Sequence, residues 1–206
     1  MGSTRLKSRR RQDLGSKWAR VAIAVLSTVG IIDTGSITLN KWGLIGNLNC
    51  PGGIEGCEKV LSSPWGTFFE YNNFSIPLSL IGFICYLLIL LMAILPLIPI
   101  LKNERNNILK LTWWGSFYLS TSTFIFSLIL ISIMIFKIKA FCFFCILSCV
   151  ISLLLLLLNI FGGGWEDYGQ LLFRGFIISV AVLLAGLVWS SSVDPASKEI
   201  SNNIQG

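Results

Sequence analysis

Two cysteines three apart, Cys142-Phe-Phe-Cys145, stand where one long apolar run gives way to the next. On a helix, residues i and i+3 share a face, with Cβ atoms roughly 5–6 Å apart. A disulfide needs about 3.5–4.5 Å, so a modest adjustment of one turn opens or closes the bond. Such a dithiol is redox equipment. A second pair, Cys50 and Cys57, falls in a loop where Pro51, Gly52, Gly53 and Gly56 disfavour helix and strand and permit movement. The chain holds six cysteines and no histidine. Without histidine it lacks the usual general base, the commonest zinc ligand and most haem ligation. Two alternatives to a relay stay open. One is a four-cysteine zinc module, although the upstream C-x6-C spacing is loose against zinc knuckles. The other is a plain structural disulfide in the loop.

The surroundings of the CxxC pair narrow the chemistry. A helix N-terminus, with its unpaired N–H groups and macrodipole, favours a thiolate. Lys137 and Lys139 add positive charge just upstream, and also suit interfacial snorkelling. Phe141, Phe143 and Phe144 wrap the pair in aromatic surface, which suits a lipid-soluble redox substrate better than a soluble one. A quinone dissolves in the bilayer and takes two electrons. Cys85, in mid-span, reads as a small apolar packing residue, and Cys149, one turn beyond Cys145, as packing on the same face.

Positioning these cysteines falls to membrane helices. Of 206 residues, 54% are apolar and only 13% charged, against about 25% charged in soluble domains. A spanning helix needs about 20 apolar residues. Five stretches qualify, near Trp18–Leu39, Ile76–Leu101, Leu111–Phe136, Ala140–Phe161 and Leu171–Val193; Asp33 and Thr34 weaken the first. That stretch is longer than a signal-peptide h-region and no A-x-A site follows it, so it reads as a retained span. If five helices alternate, Arg5, Lys7, Arg9, Arg10, Arg11, Lys17, Arg20, Lys102, Arg105, Lys110 and Arg174 share one side, and Lys41, Lys59, Lys137, Lys139 and Lys198 the other. The bias places the N-terminus in the cytoplasm and both cysteine pairs on the oxidising, periplasmic or lumenal face. The basic tail reads as a topology signal or anionic-lipid contact, with no nucleic-acid partner.

The expected organisation is a basic tail (1–17), a four-helix bundle (18–161) with a redox loop (41–75), a connector and fifth helix (162–193), and a polar tail or linker (194–206). Within the loop, Ser63 reads as an N-cap with Pro64 at N1. Leu61, Trp65, Phe68 and Phe69 recur at helical spacing, which predicts a short amphipathic helix lying in the interface over a pocket.

Cys57-Glu-Lys-Val-Leu-Ser62-Ser63-Pro64-Trp65-Gly66, followed by a span with Gly82 and Tyr86 and by the CxxC opening the fourth helix, resembles the vitamin K epoxide reductase family, in its bacterial and plant form. The likeness covers about Val21 to Phe161. It implies an all-α membrane fold, a four-helix bundle around a quinone plus a fifth helix. It also implies a relay in which Cys50 exchanges with a thioredoxin-like partner or fused domain. Cys57 then passes electrons to Cys142 through an interloop disulfide, Cys145 stands next to the quinone, and Ser63 supplies a supporting hydroxyl. Trp65, Phe69, Leu78, Tyr86, Phe141 and Cys149 become quinone-pocket candidates. The substrate would be a ubiquinone, menaquinone, plastoquinone or phylloquinone type, with no metal. Vertebrate members place an Asn and a Tyr in the pocket. The counterparts here, Leu78 and Cys149, supply neither hydrogen bond, which points towards thiol oxidation rather than epoxide reduction. The opposite use, thiol-driven reduction of quinone or quinone epoxide, is the alternative, since direction depends on reduction potentials.

Overall fold

The computed structural model describes residues 2–44, 60, 63–71, 74–97, 105–139, 142–163, 165 and 168–204. Five helices carry the fold: α1 (Gly2–Lys41), α2 (Leu78–Ile94), α3 (Arg105–Ile133), α4 (Phe143–Gly162) and α5 (Tyr168–Ile204). Four contain segments long and apolar enough to cross a membrane, namely Lys17–Lys41, Lys110–Ile138, Phe143–Gly162 and Tyr168–Ser191. The protein is an all-α, multi-pass membrane protein. The basic N-terminal stretch continues α1 as backbone helix, and α5 runs on through Pro195 to Ile204.

α2 is shorter than its sequence suggests. Its 17 residues cover about 26 Å at 1.5 Å per residue, just short of the bilayer core. The apolar run begins at Ile76, but Ile76 and Pro77 belong to a strand. Pro77 has no N–H to give a ladder and sits in extended conformation (φ −68, ψ 142) as the N-cap of α2. At the other end Pro96 falls in a 3₁₀ turn, Leu95–Leu97, where the α-helical bonding pattern stops.

The expected interfacial helix is replaced by a tight turn and a hairpin. Pro64–Gly66 make one 3₁₀ turn, then β1 (Thr67–Tyr71) pairs antiparallel with β2 (Phe74–Pro77), with an irregularity between Thr67 and Phe69. Gly66 interrupts the helical run, and Thr-Phe-Phe-Glu-Tyr is strand-forming composition. Over so few residues, apolar spacing does not separate a 3.6 period from a 2.0 period.

α1 packs against α2 and α4, α3 packs against α4 and α2, and the ring closes into a four-helix bundle, with α5 outside against α3. Ile23, Tyr86, Ile89, Ala93, Trp113, Ile151 and Leu155 form its core, drawn from all four helices. The outward face is also apolar: Val21, Val25 and Val29 on α1, and Ile84, Leu87, Leu88 and Leu91 on α2, are exposed. Lipid is the solvent such a surface fits. Several buried hydroxyls are satisfied inside their own helices, Ser27 donating to the Ile23 carbonyl and Ser152 to that of Cys149. At the end where α1 enters the bundle, Arg20 lies over the Trp113 ring at 4.4 Å and donates to the Met92 carbonyl. The opposite end holds the cysteines.

Candidate active site

The CxxC motif is aimed by the way α3 ends. After Ile133 the helix widens into a π-turn, Met134–Ile138, and Lys139 closes it in left-handed conformation (φ 51, ψ 39). That conformation costs a residue with a Cβ about 1–2 kcal/mol, and such irregularities gather at functional sites. Cys142 is the N-cap of α4 in extended conformation (φ −112, ψ 116), and its carbonyl accepts from Ile146 N at 3.2 Å. Its own N–H donates to Met134 Sδ at 3.2 Å, and its side chain is 0% exposed. Val60, from the loop, packs with Phe144 and Cys145 over Met134 and Cys142.

Cys142 and Cys145 are both thiols, hydrogen-bonded to one another. The bond from Cys145 pushes the Cys142 thiol down to about 7, against burial and with help from the backbone N–H groups of Cys145 and Phe144. Cys142 makes no side-chain cap hydrogen bond, so those N–H groups act chiefly through their dipoles. Cys142 is therefore the thiol that ionises first, and a thiolate is the form that exchanges with a disulfide.

A cavity of about 380 Å³ opens beside the pair, within the range of small-molecule sites. Its lining is almost wholly apolar, including Ile37, Leu78, Ile81, Phe126, Leu130, Ile133 and Phe144. α1 contributes Asp33, Thr34 and Lys41, α2 contributes Ser79, Cys85 and Tyr86, and α3 contributes Ser122, Thr123 and Ser127. Cys142, Cys145 and Ser148 come from α4, Val182 from α5, and Val60, Trp65 and Gly66 from the loop. Lys41 Nζ donates to the Gly66 carbonyl at 3.0 Å, tying the end of α1 to the turn. Trp65 stands edge-on to Trp189 of α5, centroids 5.9 Å apart.

Tyr86, 2% exposed, spans the bundle from α2 to α4. Its hydroxyl lies 3.0 Å from the Ser148 carbonyl, to which it donates, and 2.9 Å from the Ser148 hydroxyl. Gly30 makes room for it: a Cβ there would come within 2.7 Å of the ring.

Of the sequence candidates, Cys142, Cys145, Trp65, Leu78 and Tyr86 all line this cavity. Cys149 is half-buried and does not line it, while its neighbour Ser148 does. Ser63 keeps its place ahead of the turn, its carbonyl accepting from Gly66 N at 2.9 Å. Its hydroxyl turns back to donate to the Val60 carbonyl at 2.6 Å. Phe69 lies in β1, with its side chain outside the described atoms; Cys50, Cys57 and Phe141 lie outside the described residues. In the sequence Asp33 only weakens the first span. It is 5% exposed, lines the cavity, and has no hydrogen-bond partner at either carboxyl oxygen among the described residues. The signal was available, because an ionisable residue inside an apolar span is a functional candidate by default.

A dithiol at a helix start, opening on an apolar cavity inside a membrane bundle, defines a membrane oxidoreductase. Residues 21–160, about two thirds of the chain, match the Vitamin K epoxide reductase family, and the chain belongs to that family. Its chemistry joins thiol redox activity to reduction of quinones or quinone epoxides.

Proposed function

We propose that this protein is a quinone-dependent thiol oxidoreductase of the bacterial and plant type, which supports disulfide formation. A thioredoxin-like dithiol reduces a Cys50–Cys57 disulfide. The resulting thiols reduce a Cys142–Cys145 disulfide through a transient Cys57–Cys142 bond, and the CxxC dithiol hands two electrons to a membrane quinone. The observation that carries this reading is the paired thiols lining an apolar cavity, with loop residue Val60 packed on Cys142.

Cys57 is three residues from Val60, and three residues reach about 10 Å at most. So short a tether supports exchange between Cys57 and Cys142. Cys142, with its thiol near neutrality, suits exchange with the loop, and Cys145, deeper in the helix, suits delivery to the cavity. A bound quinone supplies an acceptor for two electrons and two protons. Trp65 and Gly66 bring the loop to the cavity wall, and Leu78 and Tyr86 flank it from α2. The 18–161 bundle is the catalytic unit, with the N-terminus cytoplasmic and the cysteines on the periplasmic or lumenal face.

The deciding experiment uses the full chain in detergent, with dithiothreitol as donor and decylubiquinone as acceptor. Cys145→Ala should abolish quinone reduction yet still trap a Cys57–Cys142 mixed disulfide, read by mass spectrometry. Full quinone turnover by that variant would overturn the assignment. Supplying quinone epoxide in place of quinone, with reduced donor, separates this direction from the alternative.

A further inference from the structure

We propose that Asp33 is the proton donor to the quinone oxygen in this cavity. The inference rests on the quinone-reducing reading and assigns a residue that the cysteine relay leaves out. Burying a polar group without a partner is unfavourable, and each such group in a folded protein calls for an explanation. Asp33 buries two oxygens, both unpartnered among the described residues, against a cavity whose surface is mostly apolar. A ligand bearing carbonyl-type oxygens supplies the missing acceptor for a carboxylic O–H. Asp33 is also within electrostatic reach of Cys142, Cys145 and Tyr86, so proton and electrons enter the ligand from neighbouring groups.

Proton balance gives such a donor a place when Cys142 reacts as a thiolate. Quinone becomes hydroquinone by taking two electrons and two protons. With Cys142 as thiolate, the CxxC pair supplies both electrons but one proton, that of Cys145. The step is Cys142 thiolate plus Cys145 thiol plus quinone plus Asp33 acid, giving the Cys142–Cys145 disulfide, hydroquinone and Asp33 carboxylate. The S–S bond forms, the Cys145 S–H and Asp33 O–H bonds break, and one negative charge stands on each side. When an incoming dithiol reduces the disulfide again, it regenerates the thiolate–thiol pair and releases one proton, which restores Asp33.

Asp33 is the one carboxyl group among the described residues lining the cavity, and most other proton-bearing side chains there have partners of their own. From α1, Lys41 donates to the Gly66 carbonyl. From α2, Tyr86 donates to Ser148, the Ser79 hydroxyl lies 2.9 Å from that of Thr38, and Cys85 lines the wall as a thiol. From α4 come the two reacting cysteines, and from α3 only the hydroxyls of Ser122, Thr123 and Ser127.

The test compares Asp33→Asn and Asp33→Glu with wild type, using decylubiquinone and dithiothreitol. General acid catalysis contributes about 100-fold or more. Asp33→Asn should therefore lower kcat about 100-fold while KM for decylubiquinone stays within about threefold, and Asp33→Glu should recover most of the rate. The wild type should show an alkaline limb in kcat that Asp33→Asn lacks. Infrared difference spectra of wild type on single-turnover quinone reduction should show loss of a carboxylic C=O band, missing in Asp33→Asn. That wild-type spectrum and Asp33→Glu decide the matter even if Asp33→Asn does not fold. An undiminished kcat in Asp33→Asn, or no carboxyl band change in wild type, overturns the role of Asp33 and leaves quinone reduction standing. Absence of any dithiothreitol-driven quinone reduction in wild type overturns both.

Discussion

The backbone N–H of Cys142 donates to the thioether of Met134 at 3.2 Å, joining the first residue of the redox motif to the π-turn that ends α3. Both residues are buried. Met134→Ala removes the acceptor and leaves a void, and should destabilise the protein by about 2–4 kcal/mol. Met134→Leu keeps most of the volume and should cost about 1.5 kcal/mol or less. Thermal unfolding in detergent gives the ranking. Iodoacetamide labelling of Cys142 should be faster in the alanine variant than in wild type.

The low Cys142 ionisation point sets a pH dependence. A thiol held at about 7 is mostly thiolate above that pH and mostly unreactive below it. Alkylation of Cys142 in the reduced protein should therefore rise through pH 7. Cys145→Ala removes the hydrogen bond that is the largest cause of the shift, so its midpoint should move up towards the free-thiol range near 8.5. Peptide mass spectrometry across a pH series reads both, and an unmoved midpoint would contradict the hydrogen-bond cause.

Gly30 and Tyr86 should be coupled. A Cβ at position 30 meets ring carbons near the root of the Tyr86 side chain, which has no free end to swing aside. Gly30→Ala should cost about 1–3 kcal/mol by overpacking, and much less in a Tyr86→Ala background, where the ring is gone. A double-mutant cycle measures the difference. Tyr86→Phe, which loses only the bonds to Ser148, should cost about 1 kcal/mol.

The two cysteine pairs should separate by donor. Cys50→Ala should block oxidation of a thioredoxin-like partner yet spare quinone reduction driven by dithiothreitol, a small dithiol that bypasses the partner. Equal loss with both donors would place Cys50 elsewhere in the mechanism.

Much of this was legible in the chain because membrane helices announce themselves by length and apolarity. The CxxC placement at the start of α4 followed from where one apolar run stops and the next begins. The loop was harder: Trp65, Phe68 and Phe69 fit a helical spacing, yet Gly66 and the strand-forming residues after it select a hairpin. The start of α2 was misplaced because Ile76-Pro77 is as apolar as the helix it precedes. No local signal marks the π-turn or the αL residue Lys139, which depend on how α3 and α4 pack. Asp33 was visible, but only the bundle shows that it faces the same space as Cys145.

The nearly unbroken apolar lining of the cavity has a consequence for selectivity. Thr34 and Thr123, among the hydroxyls on its wall, donate back to their own helix carbonyls at Gly30 and Leu119. A wall of this kind separates ligands mainly by size and oiliness, and one methylene more or less changes preference by only about 10–200-fold. Head-group substituents on a quinone ring would meet few fixed donors or acceptors here. Which oxidant the protein uses would then be decided less by its own pocket than by the lipid-soluble carriers dissolved in the surrounding bilayer.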